Sequence, residues 1–241
     1  MSAKSLLSAL LFVSFAACVV TGQTALEDAR ARDHIRRGNE RYARGEYERA
    51  VAEYRRVPDG AGEAYAQALY NIGVCYYELW RTAEAADMYR RAVAARRGRY
   101  PKASYALGVA LEAAGRPKEA EEAYRAAAEG WDGEYATPHY KLGMFAARAG
   151  DHAGAAALFR QAIKRTRRPF PASHNNLGVM LALSGRLAEA EREFELSLRQ
   201  TGGAYDEAAS NLTLCRSLLA GRAGATLASL KISPAPDAPT N

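Results

Sequence analysis

An all-α solenoid of antiparallel helix pairs is the fold this sequence predicts, and three observations predict it. Gly38, Gly73, Gly108, Gly143 and Gly178 stand 35 residues apart, and so do Ala50, Ala85, Ala120, Ala155 and Ala190. An aromatic residue follows each of these glycines by 16 positions: Tyr54, Tyr89, Tyr124, Phe159 and Phe194. A second glycine follows by seven at Gly45, Gly115, Gly150 and Gly185, with Trp80 in the remaining slot. Self-similarity at a fixed period of this size marks stacked units, none of which can bury its apolar face alone.

Composition agrees with a folded chain of this kind. The 241 residues are 49% hydrophobic and 25% charged, with a mean hydropathy of −0.32. These values exclude a polytopic membrane protein, a collagen-like chain and a largely disordered one. A net charge of +6 is too mild to be the electrostatic footprint of a nucleic-acid binder.

Along the chain, the first element is a leader. Residues 1 to 22 carry one charge, Lys4, then an apolar run from Leu6 to Val20 and a small-residue exit, the pattern of a signal peptide. Val20 and Gly22 suit cleavage before Gln23, while Ala16-Ala17-Cys18 ends like a lipobox and offers lipid attachment at Cys18. An uncleaved anchor is the third reading, although the apolar run is shorter than the roughly 20 residues that span a bilayer. Five units follow, at about 31–65, 66–100, 101–135, 136–170 and 171–205.

In each unit a first helix precedes the second glycine, as in Leu107, Gly108, Leu111 and Ala114 at helical spacing. That glycine suits a helix C-terminus. The stretch after it, for example Lys118 to Tyr124, is strong helix former with Ala120 and Tyr124 four apart on one face. The small residues mark where two helices cross closely, and the aromatic fills the space beside the crossing. Pro58 shortens the second helix of the first unit. Residues 207–220 continue the frame, with Asn211 and Leu212 in register and Thr213 in the glycine slot, as a capping helix. From 221 to 241, Ser233-Pro234-Ala235-Pro236 and Pro239 predict a flexible tail.

Asn71-Ile72-Gly73 with Tyr76 and Ala85, Leu107-Gly108 with Gly115, Ala120 and Tyr124, and Asn176-Leu177-Gly178 with Gly185, Ala190 and Phe194 together resemble the tetratricopeptide repeat. The usual unit has 34 residues, so each repeat here carries one more. The resemblance implies a right-handed superhelix whose first helices line a concave face where partner segments lie. It also implies a non-enzymatic role in binding a protein or peptide.

Given that frame, slots six and three before the glycine and one and four after it share one side of the first helix. Tyr70, Tyr105 and Tyr140 occupy one slot, Tyr42 and Tyr77 another, and Asn175 follows the three tyrosines. Two residues before the glycine lie Asn71, Lys141, Asn176 and, in the cap, Asn211. Tyrosine offers large area at low entropic cost, and asparagine offers a donor and an acceptor that can pair with an extended peptide backbone. Packing between first helices is the competing role for both sets. Of five positions that hold a carboxylate in some members, Asn39, Asn71 and Lys102 match, while Ile35 and Ala106 replace the required cations. The predicted groove is therefore Tyr42, Tyr70, Asn71, Tyr77, Lys102, Tyr105, Tyr140, Lys141, Asn175 and Asn176.

No catalytic or cofactor motif is present in the sequence, and His34, His139, His152 and His174 are spaced for packing, not for one metal ion. Cys75 and Cys215 lie four repeats apart and read as buried thiols. The expectation is an exported, envelope-associated or periplasmic scaffold, peripheral to the membrane if lipidated at Cys18. A self-assembling structural component and an accessory subunit of an envelope transport or secretion system are the alternatives.

Overall fold

In a computed structural model, the described residues are 26–130, 135–222 and 224–234. The leader, Cys18 and the last part of the tail lie outside them. The chain divides into two compact units, Met1–Arg116 and Pro117–Asn241. The described residues of the first form α1 (26–43), α2 (Tyr47–Tyr54), α3 (Glu63–Glu78), α4 (Thr82–Ala95) and α5 (Pro101–Ala113). Those of the second form α6 (Pro117–Glu129), α7 (Thr137–Arg148), α8 (His152–Lys164), α9 (Pro171–Leu183), α10 (Leu187–Gln200) and α11 (Asp206–Leu219). Within each unit every helix packs on the next in sequence, and α11 also reaches back to α9. The described residues contain no strand.

Proline stands at four starts. Pro101, Pro117, Pro138 and Pro171 sit in the first turns of α5, α6, α7 and α9, where no intrahelical N–H partner is lost. Asp151 caps α8, its carboxylate accepting from the Gly154 amide at 2.8 Å.

The period seen in the sequence is a packing period. Ala50, Ala85, Ala120, Ala155 and Ala190 are wholly buried, and so, nearly or fully, are the five aromatics. Each aromatic ring whose contact is described lies directly against the glycine 16 residues before it. A Cβ on Gly73 would stand 2.6 Å from Tyr89, one on Gly143 2.8 Å from Phe159, and one on Gly178 2.6 Å from Phe194. No side chain fits there, so glycine sets how closely the two helices of a repeat approach.

The second glycine has a backbone reason. Gly45, Gly115, Gly150 and Gly185 all have φ between 72° and 80°. Around Gly185 the chain closes with Gly185 N–H to Ala182 C=O at 3.0 Å and Arg186 N–H to Leu181 C=O at 2.9 Å, the paired bonds of a Schellman stop. Trp80 adopts the same turn at φ 59°, with its N–H on Tyr77 C=O, although it is 89% exposed. A left-handed conformation costs a bulky L-residue about 1–2 kcal/mol. The freedom of an unfolded glycine offsets part of that, about 0.5–1 kcal/mol. Trp80→Gly is therefore expected to stabilise the protein by about 0.5 kcal/mol, raising the thermal midpoint by about 1–2 °C. A lowered midpoint would mean that the indole makes contacts which outweigh the strain.

The end of the chain departs from the expected loose tail. A glycine-containing turn follows α11, and residues 227–229 form one turn of 3₁₀ helix. Leu227 and Leu230 then pack on the core of the second unit, the cluster that includes Tyr140, Phe194 and Cys215. Ser233 is fully buried. Composition suggested mobility because Pro and small residues bury little apolar area, but this segment is held by polar groups of α7, α9 and α11.

Candidate functional site

The site in the second unit is built on α9, which is buried around almost its whole circumference. A helix so placed needs partners for its buried polar side chains, and most have one, Ser173 Oγ being buried without a hydrogen bond. His174 on its flank faces Glu193 of α10, Nδ1 to Oε2 2.8 Å. Asn175 and Asn176, both fully buried, turn instead toward residues 231–234.

Their geometry is that of an amide reading a peptide. Asn211 Nδ2 donates to Lys231 C=O at 2.8 Å, and Lys231 N–H donates to Asn211 Oδ1 at 2.8 Å. One repeat earlier, Asn176 Nδ2 donates to Ser233 C=O at 3.1 Å, and Ser233 N–H donates to Asn176 Oδ1 at 2.7 Å. Each asparagine thus holds both main-chain groups of one residue, and the two residues held are next-nearest neighbours, as on one face of an extended strand. Asn175 lies between the rungs, giving Nδ2 to Lys231 C=O at 3.0 Å and to Ser233 Oγ at 2.9 Å. Its own Oδ1 accepts from Asn211 Nδ2 at 2.9 Å, which fixes the orientation of both amides.

Tyr140 completes the clamp from α7. Its hydroxyl accepts from Asn176 Nδ2 at 2.7 Å and shares its proton between Ser233 C=O and Pro234 C=O at 3.0 and 2.9 Å. Burial pushes this phenol well above its ordinary range, so it stays a donor. The ring packs at a tilt against Phe159 and Phe170. Tyr205 also hydrogen-bonds Ser233. Only Ser233 has its side chain read; the side chain of Lys231 is exposed and Ile232 is 41% exposed.

The sequence-predicted groove residues in the first unit form a different arrangement. Asn71 donates to Asn39 at 3.2 Å, and Tyr54 OH donates to the same oxygen at 2.7 Å, so these amides pair with each other across α1, α2 and α3. Ile35 is buried, which leaves no cation at that carboxylate-holding position. Tyr70 is half-buried between Tyr89 and Tyr100, with Lys102 Nζ 5.1 Å from its ring centre. Burial pushes the Tyr70 phenol up to about 12. Tyr42 packs at a tilt against Tyr47 and donates to Glu78 at 3.3 Å. Tyr77 is at the surface and Tyr105 is buried. In the second unit Lys141 Nζ lies 5.8 Å from the Tyr124 ring.

The tyrosines at Tyr105 and Tyr140 are thus core rings, not an open aromatic surface. Periodic spacing identifies the side of the helix they leave from but not what covers it. The asparagine slot, by contrast, reaches an extended backbone through Asn176 and Asn211, joined by Asn175 from the tyrosine slot. Sequence reasoning missed Ser233, Tyr205, Leu227 and Leu230 as participants. The one available signal was that Asn211 keeps the asparagine slot in a cap whose glycine has been lost.

Other chemistry is sparse. Burial pushes the Cys75 thiol up to about 12 and raises that of Cys215, whose Sγ points at Leu187 C=O, so neither is an activated nucleophile. Asn211 heads an Asn-Leu-Thr triplet, but its amide is buried in the clamp. Among the described residues no group of three His, Cys, Asp or Glu side chains is placed to hold a metal ion. No described helix is long and apolar enough to cross a membrane.

The sequence profile of the Tetratricopeptide repeat matches residues 35–100, 81–135 and 140–206. No curated protein sequence matches the chain. Among solved structures, PilF of Pseudomonas aeruginosa superposes with a TM-score of 0.63 at 19% identity, over 81% of this chain and 86% of that one. MamA gives 0.60 at 20% identity, over 71% of this chain and 91% of that one. YrrB, described as a repeat protein of this kind with an unusual peptide-binding site, gives 0.56 at 24% identity, over 71% and 86%. At these identities the likeness is one of fold.

Proposed function

The chain belongs to the tetratricopeptide-repeat family, and from that premise we propose that it is a non-enzymatic scaffold which binds an extended segment of a partner protein. The observation that carries this reading is the clamp of Asn175, Asn176, Asn211 and Tyr140, which pairs with main-chain N–H and C=O groups at 2.7–3.1 Å. Side-chain amides that recognise backbone accept many sequences, as an interaction scaffold must.

The signal-peptide pattern of residues 1 to 22 supports a role in the cell envelope, with Cys18 as the lipid-attachment point or Gln23 as the mature start. A protein segment passing through or anchored in that compartment is the partner class. The experiment is an envelope crosslinking pull-down comparing the natural chain with Asn175→Ala/Asn211→Ala. A partner recovered with the natural chain and lost with the variant is the expected result. Identical recovery from both would remove the clamp from the function.

A further inference from the structure

We infer that residues 226–234 are a resident ligand of this groove, and that a partner segment of the same pattern binds by displacing them. The inference rests on the peptide-binding reading above and adds to it both a regulator and a ligand preference.

The occupant is shown by the contacts themselves. The tail enters by one short turn at Leu227–Ser229, sets Leu227 and Leu230 half-buried on the apolar core, and then runs extended across the two asparagine rungs. Position 233 is fully buried, so only a small side chain fits, and serine there meets Asn175 and Tyr205. Positions 231 and 232 point outward and are unrestricted. Pro234 needs no amide hydrogen and supplies a carbonyl to Tyr140. The groove therefore selects an apolar residue, two free positions, an apolar residue, two free positions and a serine-sized residue, the last best followed by proline.

The attachment is suited to exchange. Most of its bonds join backbone to side-chain amides that water can satisfy once the segment leaves, and just one tail residue is fully buried. The connection to α11 is short and carries two glycines of positive φ, Gly221 and Gly224. A short tether gives an effective concentration on the order of millimolar. A segment whose free Kd is about 0.1 mM would thus occupy its own groove about ten to one. An external segment meets that competition and prevails when it is tighter or locally abundant.

The test uses a fluorescent peptide of residues 225–234 titrated into the full chain and into Leu227→Asp/Leu230→Asp, which lifts the tail without altering the groove. Ser233→Pro, which deletes the N–H held by Asn176, is the second tail-lifting variant. The peptide is expected to bind both variants at least tenfold tighter than the natural chain, and Asn211→Ala in either background to abolish the gain. Equal affinity for natural and lifted chains would overturn the inference while leaving the groove a peptide site. No binding to any of them would overturn both. A concentration-dependent dimer of the natural chain in sedimentation, lost in the lifted variants, would assign the groove to the tail of a second copy and overturn displacement by a partner.

Discussion

Replacing Gly178 by alanine is expected to cost about 3 kcal/mol, the upper end of what overpacking a well-filled core costs. The new Cβ would lie 2.6, 2.8 and 3.0 Å from Cε1, Cδ1 and Cζ of Phe194, and that ring is wholly buried. Neither group can yield cheaply, because the ring is backed by the core that runs from α7 to α11. Relief requires the two helices of the repeat to separate, which opens space elsewhere. Phe194→Leu alone is also expected to destabilise, through lost contacts. In the double variant, however, the clash is gone, so the two costs should not add. Urea unfolding of the four proteins checks this: a favourable coupling above about 1 kcal/mol is expected, whereas additivity within about 0.5 kcal/mol would contradict the close-approach role of the glycine.

Asn176→Asp is the second large effect, and it should act first on the tail. The substitution puts a carboxylate oxygen where Nδ2 now donates to Ser233 C=O at 3.1 Å and to Tyr140 at 2.7 Å. An anion in that dry position faces a carbonyl and has no cation among its described partners. Leaving a buried polar group unsatisfied costs about 1–3 kcal/mol, and more for a charge. Releasing residues 231–234 and admitting water is the cheapest escape. Trypsin cleavage after Lys231 in the folded protein should therefore accelerate by about tenfold. The pH dependence has a definite sign. Burial raises the pKa of the introduced acid in the folded state, so the folded form holds its proton more tightly than the unfolded one. The defect is then full above that raised pKa and shrinks as pH falls through it. A cleavage rate equal to that of the natural chain would show that Asn176 does not hold the tail.

The repeat was legible because its causes are local and recur. Gly143 and Phe159, or Gly178 and Phe194, form the same contact each time, and a contact repeated at fixed spacing leaves a period in the sequence. The turn glycines recur for a backbone reason, and even Trp80 keeps the conformation of its slot. What covers each face was not legible. Tyr140 and Asn175 occupy the same repeat slot on successive first helices, yet one is a core ring with a polar tip and the other reads backbone. The difference is made by Phe170 and by a tail whose composition suggested mobility. Hydrogen bonds to a backbone carry no residue signature on the side being held, so Lys231 and Ile232 gave no sign of their place. The asparagines were the readable half of the pairing. Their role as a ladder for extended peptide was one of two readings of the slot, and Asn71 follows the other, bonding from one first helix to Asn39 of the preceding one.

Amide hydrogen exchange along residues 226–234, resolved by residue in the natural chain, tests the clamp most directly. The account predicts alternation: Lys231 and Ser233 slowed by Asn211 Oδ1 and Asn176 Oδ1, at 2.8 and 2.7 Å, with Ile232 between them exchanging fast. The same pattern should collapse in Asn176→Asp. Uniform exchange at free-chain rates across all three residues would contradict the claim that this groove holds an extended backbone.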